Sequence, residues 1–268
     1  MLLRLLWPLA CLAACGDPSP KTDPHAEAWS AQYDAGRAAF AQSRFDEACA
    51  AFTTALTLAK HFDPDDPRYG RATHQLAQLH VLQGELAEAE SLYVDLRERE
   101  ASLPAHSPAK ILTLDKLGDT YRLQKRLAEA AALYAQVLAF QQTHQGDGAV
   151  ATTLQKLADV YRARGHRARA DSLTYTARAL TLRTQAHGYF VQGNYEQAEP
   201  LLQSALALQE RHFGVDHPDL ARTCYYTGRF YAAQDQYRKA AHFYRRALDA
   251  DPADPDRARE ALDALPAH

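Results

Sequence analysis

Glycine and proline are sparse, 12 and 13 in 268 residues, too few for a fibrous or low-complexity chain. Valine and isoleucine are scarce beside alanine and leucine, which favours helix over sheet. Charge of one sign is not in excess either. Thirty basic and 33 acidic residues leave a net −3, which argues against a dedicated nucleic-acid binder, whose domain is strongly basic. There is no Gly-rich phosphate loop, no Gly-x-Ser-x-Gly, no His-Glu-x-x-His and no Cys-x-x-Cys, so the residues imply no enzyme, no cofactor and no small-molecule substrate. The length allows one large domain or two modest ones, and 47% apolar residues suffice for a core.

What is present begins with a leader. Arg4 is followed by an apolar run from Leu5 to Ala14 and then Cys15, the pattern of a secretory signal. The run falls far short of the roughly 20 residues that span a bilayer. Leu12-Ala13-Ala14-Cys15 resembles the lipobox of bacterial lipoproteins, which implies a signal peptide over 1–14 and acylation of Cys15. Two acyl chains hold a protein stably on a lipid bilayer, each buried methylene contributing about 0.8 kcal/mol. The alternative is an ordinary cleaved leader on a soluble secreted or cytoplasmic adaptor. In Gram-negative lipoproteins an Asp directly after the cysteine marks inner-membrane retention. Here Gly16 stands there and Asp17 comes one place late, which favours the outer membrane, facing the periplasm. Residues 15–28, with Pro18, Pro20 and Pro24, read as the lipidated cysteine and a tether. Of four cysteines, Cys49 and Cys224 remain for the body of the chain and read as buried free thiols.

The strongest signal is internal repetition. Phe45, Ala48, Phe52, Ala55 and Leu56 match Leu127, Ala130, Tyr134, Val137 and Leu138. They match again Tyr195, Ala198, Leu202, Ala205 and Leu206, and Tyr237, Ala240, Tyr244, Ala247 and Leu248. Weaker copies centre on Ala89 and Ala170. Upstream of each lies a second small residue: Gly36, Ala77, Gly118, Ala158, Ala186 and Gly228. Each half keeps its apolar residues at i, i+3, i+4 and i+7, one stripe of a helix. The small residues let paired helices approach, and the large one fills the gap between hairpins. Turns are expected at Gly84, Gly165 and Gly193, and Asn194 with Gln197 makes a capping box.

These units resemble tetratricopeptide repeats, in the long-repeat variety of kinesin light chains, with Phe213-Gly214-Val215-Asp216-His217-Pro218 as the turn into a new repeat. The resemblance implies an all-α fold, a right-handed superhelical solenoid of antiparallel helix hairpins. Six repeats are expected over 29–252, and a capping helix and tail over 253–268. Spacing from Ala170 to Ala198 contracts to 28 residues, and no Gly or Pro interrupts Arg167 to His187. One long helix is therefore expected there, with a bend near 167–192, and a kink at Pro200.

The same resemblance implies that the first helix of each hairpin lines a groove for a protein or peptide partner. Its exposed positions are Tyr33, Arg37, His74 and Gln78, then Asp115, Asp119, Arg122, Gln155, Asp159 and Arg162. Arg183, His187, Arg222, Tyr225, Tyr226 and Arg229 follow. The Lys and Asn clamp of the family's chaperone-tail binders is missing, so capture of a C-terminal carboxylate in that manner is not expected. Arg183, Arg222 and Arg229 with Tyr225 and Tyr226 make one end basic and aromatic, which suits an acidic segment; the competing reading has Tyr225 and Tyr226 packed between hairpins and the arginines solvated. The 12 histidines are scattered. His74 and His80 are six apart, the wrong offset for a shared metal, and no metal site is expected. The pair Asp115 and Asp119 reads as a solvated helix face.

Overall fold

The computed structural model describes residues 23–266 except 64, 105–106, 145, 216 and 252–255. The signal peptide, Cys15 and the start of the tether lie outside the described residues. Among those described there are twelve α-helices and one 3₁₀ turn, and no strand. No helix among them is long and apolar enough to cross a membrane. Two compact units divide the chain within one helix, the first ending at Leu76 and the second starting at Ala77.

The first unit holds α1 (Pro24–Ala41), α2 (Phe45–Ala59) and the start of α3 (Pro67–Gln83). From Pro24 to Ala28, the end of the expected tether, the chain is already helix. Asp23 caps α1 by accepting from the His25 backbone N–H at 2.9 Å, and Pro24 sits at the first helical position. There its fixed φ suits the helix and its missing N–H costs nothing. Trp29, Gly36 and Ala39 are buried on α1, and Ala48, Phe52 and Ala55 on α2. A Cβ at Gly36 would lie 2.7 Å from the Phe52 ring, so the small residue sets how closely the helices approach.

The second unit continues through α4 (Leu86–Arg99), α5 (Pro108–Leu123), α6 (Leu127–His144) and α7 (Asp147–Ala163). It then runs through α8 (Arg167–Val191), α9 (Tyr195–Phe213), α10 (Asp219–Ala232), α11 (Tyr237–Ala250) and α12 (Asp256–Asp263). Helices pair as α5 with α6, α7 with α8, α8 with α9, and α10 with α11. The chain thus has the expected fold class, an all-α solenoid of antiparallel hairpins. Ala89, Ala130, Ala170, Ala198 and Ala240 are fully enclosed. The Tyr134 and Tyr244 rings lie over Gly118 and Gly228, at 2.9 and 2.5 Å from where a Cβ would stand. Where the small residue is Ala158 or Ala186, the large position holds Thr174 or Leu202 instead. Burying each large side chain is worth roughly 1.5–3 kcal/mol.

Helix α8 explains the contracted spacing. It is one continuous helix of 25 residues that serves two hairpins. Ala177 and Leu180 pack with Val150, Ala151 and Leu154 of α7. Two turns further on, Ala186 packs with Ala198 and Leu202 of α9 and Phe230 of α10. Helix α9 runs through Pro200 without interruption. At the end of the unit α12 lies on α11, with Ala258 buried beside Ala247 and Ala250.

All six hairpin turns are built alike. Each has one left-handed residue: Ser43, Gly84, Lys125, Gly165, Gly193 and Asp235, with φ between 58° and 83°. The next N–H donates to the carbonyl five residues back at 2.8–3.0 Å, from Arg44 to Ala39 through Gln236 to Tyr231. This is the helix-ending bond that satisfies an otherwise orphaned carbonyl. Three of the six positions thus carry a side chain where glycine is the residue without strain.

Candidate partner-binding face

The expected groove positions fall into different environments. In the first unit Tyr33 is half-buried, stacked on Trp29 at 4.7 Å and edge-on to Phe52 at 5.6 Å, so it is packing rather than a free contact. Arg37 is exposed, with Asp34 at 3.9 Å, and His74 is half-buried.

In the second unit Gln78 is exposed. Asp115 and Asp119 are not a solvated pair. Both are half-buried and grip Lys156 of α7, each at 2.8 Å, while the Tyr134 hydroxyl donates to Asp119 at 2.7 Å. Burial, and then Asp119, push the Tyr134 phenol well above its ordinary value. Lys156 went unremarked in the sequence, although it stands next to Gln155, the place on α7 that matches Asp115 on α5. Arg122 is half-buried. Gln155 and Arg162 are exposed and both bond Asp159, at 3.1 and 2.9 Å. The middle positions are therefore largely spent on one another.

The far end is different. Arg183 is not exposed, as expected, but 98% enclosed. It sits on α8 between the part that faces α7 and the part that faces α9. Its Nε donates to Asp147 at 2.6 Å and its Nη1 to Thr223 at 3.1 Å. Its Nη2 is buried with no hydrogen-bond partner. Asp147 lies in the first turn of α7, where the helix dipole favours an anion, and Arg222 reaches its other oxygen at 3.4 Å. Arg229 is exposed, about 6.0 Å over both the Tyr225 and Tyr226 rings, and makes no ion pair among the described residues. Arg183 and Arg222 thus share one carboxylate and Arg229 has none among the described residues, a surplus of two positive charges over the three.

His187 is exposed and edge-on to Tyr226 at 6.4 Å. Tyr225 is half-buried, joins two core clusters and tilts against Tyr244 at 5.9 Å. For Tyr225 packing between hairpins is thus the observed role. Tyr226 instead faces a small recess between α8, α9 and α10, with room for about one water. Ala186, Phe190, Leu202 and Phe230 give this recess apolar walls, and Arg183, His187 and Arg229 line it too. Nothing in the sequence pattern marked it, because its walls are the ordinary seam residues of the repeat.

Comparisons with known proteins agree with this architecture. Tetratricopeptide repeat profiles match residues 27–99 and 175–253, and a second such profile matches 111–147. No curated protein matches the chain. Among solved structures, the apo form of RapI is similar at 13% identity and a TM-score of 0.55, over 91% of this chain and 87% of that one. Kinesin-light-chain-type repeats from Podosopora anserina are similar at 18% identity and a TM-score of 0.49, over 85% and 96%. Such arrays are scaffolds for protein–protein interaction, presenting extended surfaces to a partner. With more than half of its length matched, this chain belongs to the tetratricopeptide repeat family.

Proposed function

We propose that this protein is a lipid-anchored adaptor of the bacterial cell envelope, held by acylated Cys15 at the outer membrane and facing the periplasm. We further propose that it recruits a partner protein by an acidic segment laid across α8 and α10. The observation that carries the second part is the charge surplus of α8 and α10: Arg183 and Arg222 share the one carboxylate of Asp147, and Arg229 lies over Tyr226 with no ion pair among the described residues. Arginine and tyrosine are the residue types that dominate binding hot spots, and unpaired surface cations accelerate capture of an anionic partner. The anchor rests on Leu12-Ala13-Ala14-Cys15 after a short apolar run.

Each part has its own test. Blocking lipoprotein signal peptidase is expected to shift the mobility of the chain and leave its precursor accumulating, and Cys15→Ser to release the protein from the membrane fraction. A Cys15→Ser protein that stays with the membrane contradicts the anchor. For the partner, cross-linking in the native envelope is expected to capture a protein whose cross-linked stretch is rich in Asp and Glu.

A further inference from the structure

Three hairpins bury a polar side chain at the same place, where the second helix hands over to the next hairpin. Glu100, Gln141 and Gln209 each stand 11 residues after the small residue of their helix, Ala89, Ala130 and Ala198. They are only 6%, 9% and 1% exposed. The helix that follows buries a threonine five residues before its own small residue: Thr113 before Gly118, Thr153 before Ala158 and Thr223 before Gly228. In all three places one side-chain oxygen, Glu100 Oε2, Gln141 Oε1 or Gln209 Oε1, has no hydrogen-bond partner among the described residues. The repeat thus shows what this position accepts. It takes a neutral amide twice, and once an acid of the same shape.

An amide can stand there because it carries no charge, whereas an ionised carboxylate without a paired cation is costly to enclose. From α5 the Thr113 hydroxyl donates to the Glu100 carboxyl group, and Lys110 is the one charge that acts on it. The Lys110 ammonium is directed elsewhere, donating to the carbonyls of Ala101 and Leu103 at 3.1 Å each. It makes no ion pair with Glu100 among the described residues. Burial outweighs both groups and holds the Glu100 carboxyl above the ordinary glutamate range.

We infer that the joint between α4 and α5 is a proton-operated fastening, closed while Glu100 is neutral and loosened when it ionises. Glu100 opens the 3₁₀ turn Glu100–Ser102 that leads out of α4, so its protonation bears on how the two helices are joined. The folded chain holds this proton more tightly than the unfolded one. The stabilisation is therefore full below the ordinary value near 4.5 and is lost as pH rises through the raised value.

The test is urea unfolding of the full chain at pH 5, 6.5 and 8. It compares wild type with Glu100→Gln, and with Glu98→Gln as a control on an exposed carboxylate of the same helix. The ratio of the wild-type unfolding constant to that of Glu100→Gln is expected to rise by about threefold or more from pH 5 to pH 8. Taking the ratio cancels the other titrating groups, and the ratio to Glu98→Gln should stay level. A carbon-13 NMR titration of the folded wild type is expected to place the Glu100 carboxyl midpoint above those of the exposed glutamates. A constant ratio for Glu100→Gln, or a Glu100 midpoint no higher than the exposed ones, overturns the inference. So does a Glu100→Gln protein less stable than wild type at pH 5, because the amide should fit as it does at 141 and 209.

Discussion

Arg183 and Asp147 form an ion pair of 2.6 Å between α8 and α7, with 2% of one side chain and 15% of the other exposed. Enclosure on this scale makes the pair asymmetric. Keeping both partners is worth little over an apolar pair of similar volume, but losing one leaves a buried charge uncompensated. Asp147→Ala is therefore expected to destabilise the protein by about 3 kcal/mol, read from the urea midpoint at unchanged slope. Adding Arg183→Met should recover most of that loss. A neutral Asp147→Ala is incompatible with the enclosed guanidinium.

A second prediction concerns the seam between paired helices. Alanine in place of glycine within a helix ordinarily gains roughly 1 kcal/mol. At Gly228 the added Cβ would stand 2.5 Å from two Tyr244 ring carbons, and overpacking costs about 1–3 kcal/mol. The clash is expected to win, so that Gly228→Ala lowers the thermal midpoint. Tyr244→Leu in that background, which removes the ring, should bring part of it back. Gly228→Ala that raises the midpoint contradicts the close approach.

The turn residues offer a stabilising change. Lys125 holds φ +64° in the same geometry that Gly84 and Gly165 occupy elsewhere. A left-handed residue with a Cβ is strained by roughly 1–2 kcal/mol, and glycine returns part of this gain through its freer unfolded chain. Lys125→Gly should stabilise by about 0.5–1 kcal/mol in urea denaturation, whereas Gly84→Ala should destabilise by a similar amount.

Burial pushes the Cys224 thiol up to about 11, and the side chain is enclosed among Leu206, Leu220 and Ala247. The reactive thiolate is thus scarce and shielded at neutral pH. Iodoacetamide at pH 8 should modify half-buried Cys49 well before Cys224, as read by mass spectrometry of tryptic peptides. Cys224 should react at an ordinary rate only in denaturant.

Much of the fold was legible because repetition reads the same seam six times. The small residues at 36, 118 and 228 and the large ones at 52, 134 and 244 announced the helix pairs, and the 28-residue interval announced α8. The start of α1 was misjudged because three prolines suggested an open chain, although Pro24 after Asp23 is a helix-start signal. Ser43, Lys125 and Asp235 were invisible as left-handed residues, since only glycine signals that conformation by identity. The site was half legible. Exposed positions follow from helical phase, which suited Arg222 and Arg229. Whether Arg183 is exposed depends on α8 changing partners along its length, and periodicity within one helix carries no such information. The Lys156 bridge was hidden for a related reason, as it joins the first helices of two different hairpins.

The account stands on the charge surplus of α8 and α10 being the surface that holds the partner. The direct measurement is cross-linked capture in the native envelope by the wild-type chain, by Arg222→Glu/Arg229→Glu, and by Arg37→Glu as a control on an exposed arginine elsewhere. Capture is predicted to fall at least tenfold in the double variant and to stay at the wild-type level in the control. Equal capture by all three proteins would contradict it.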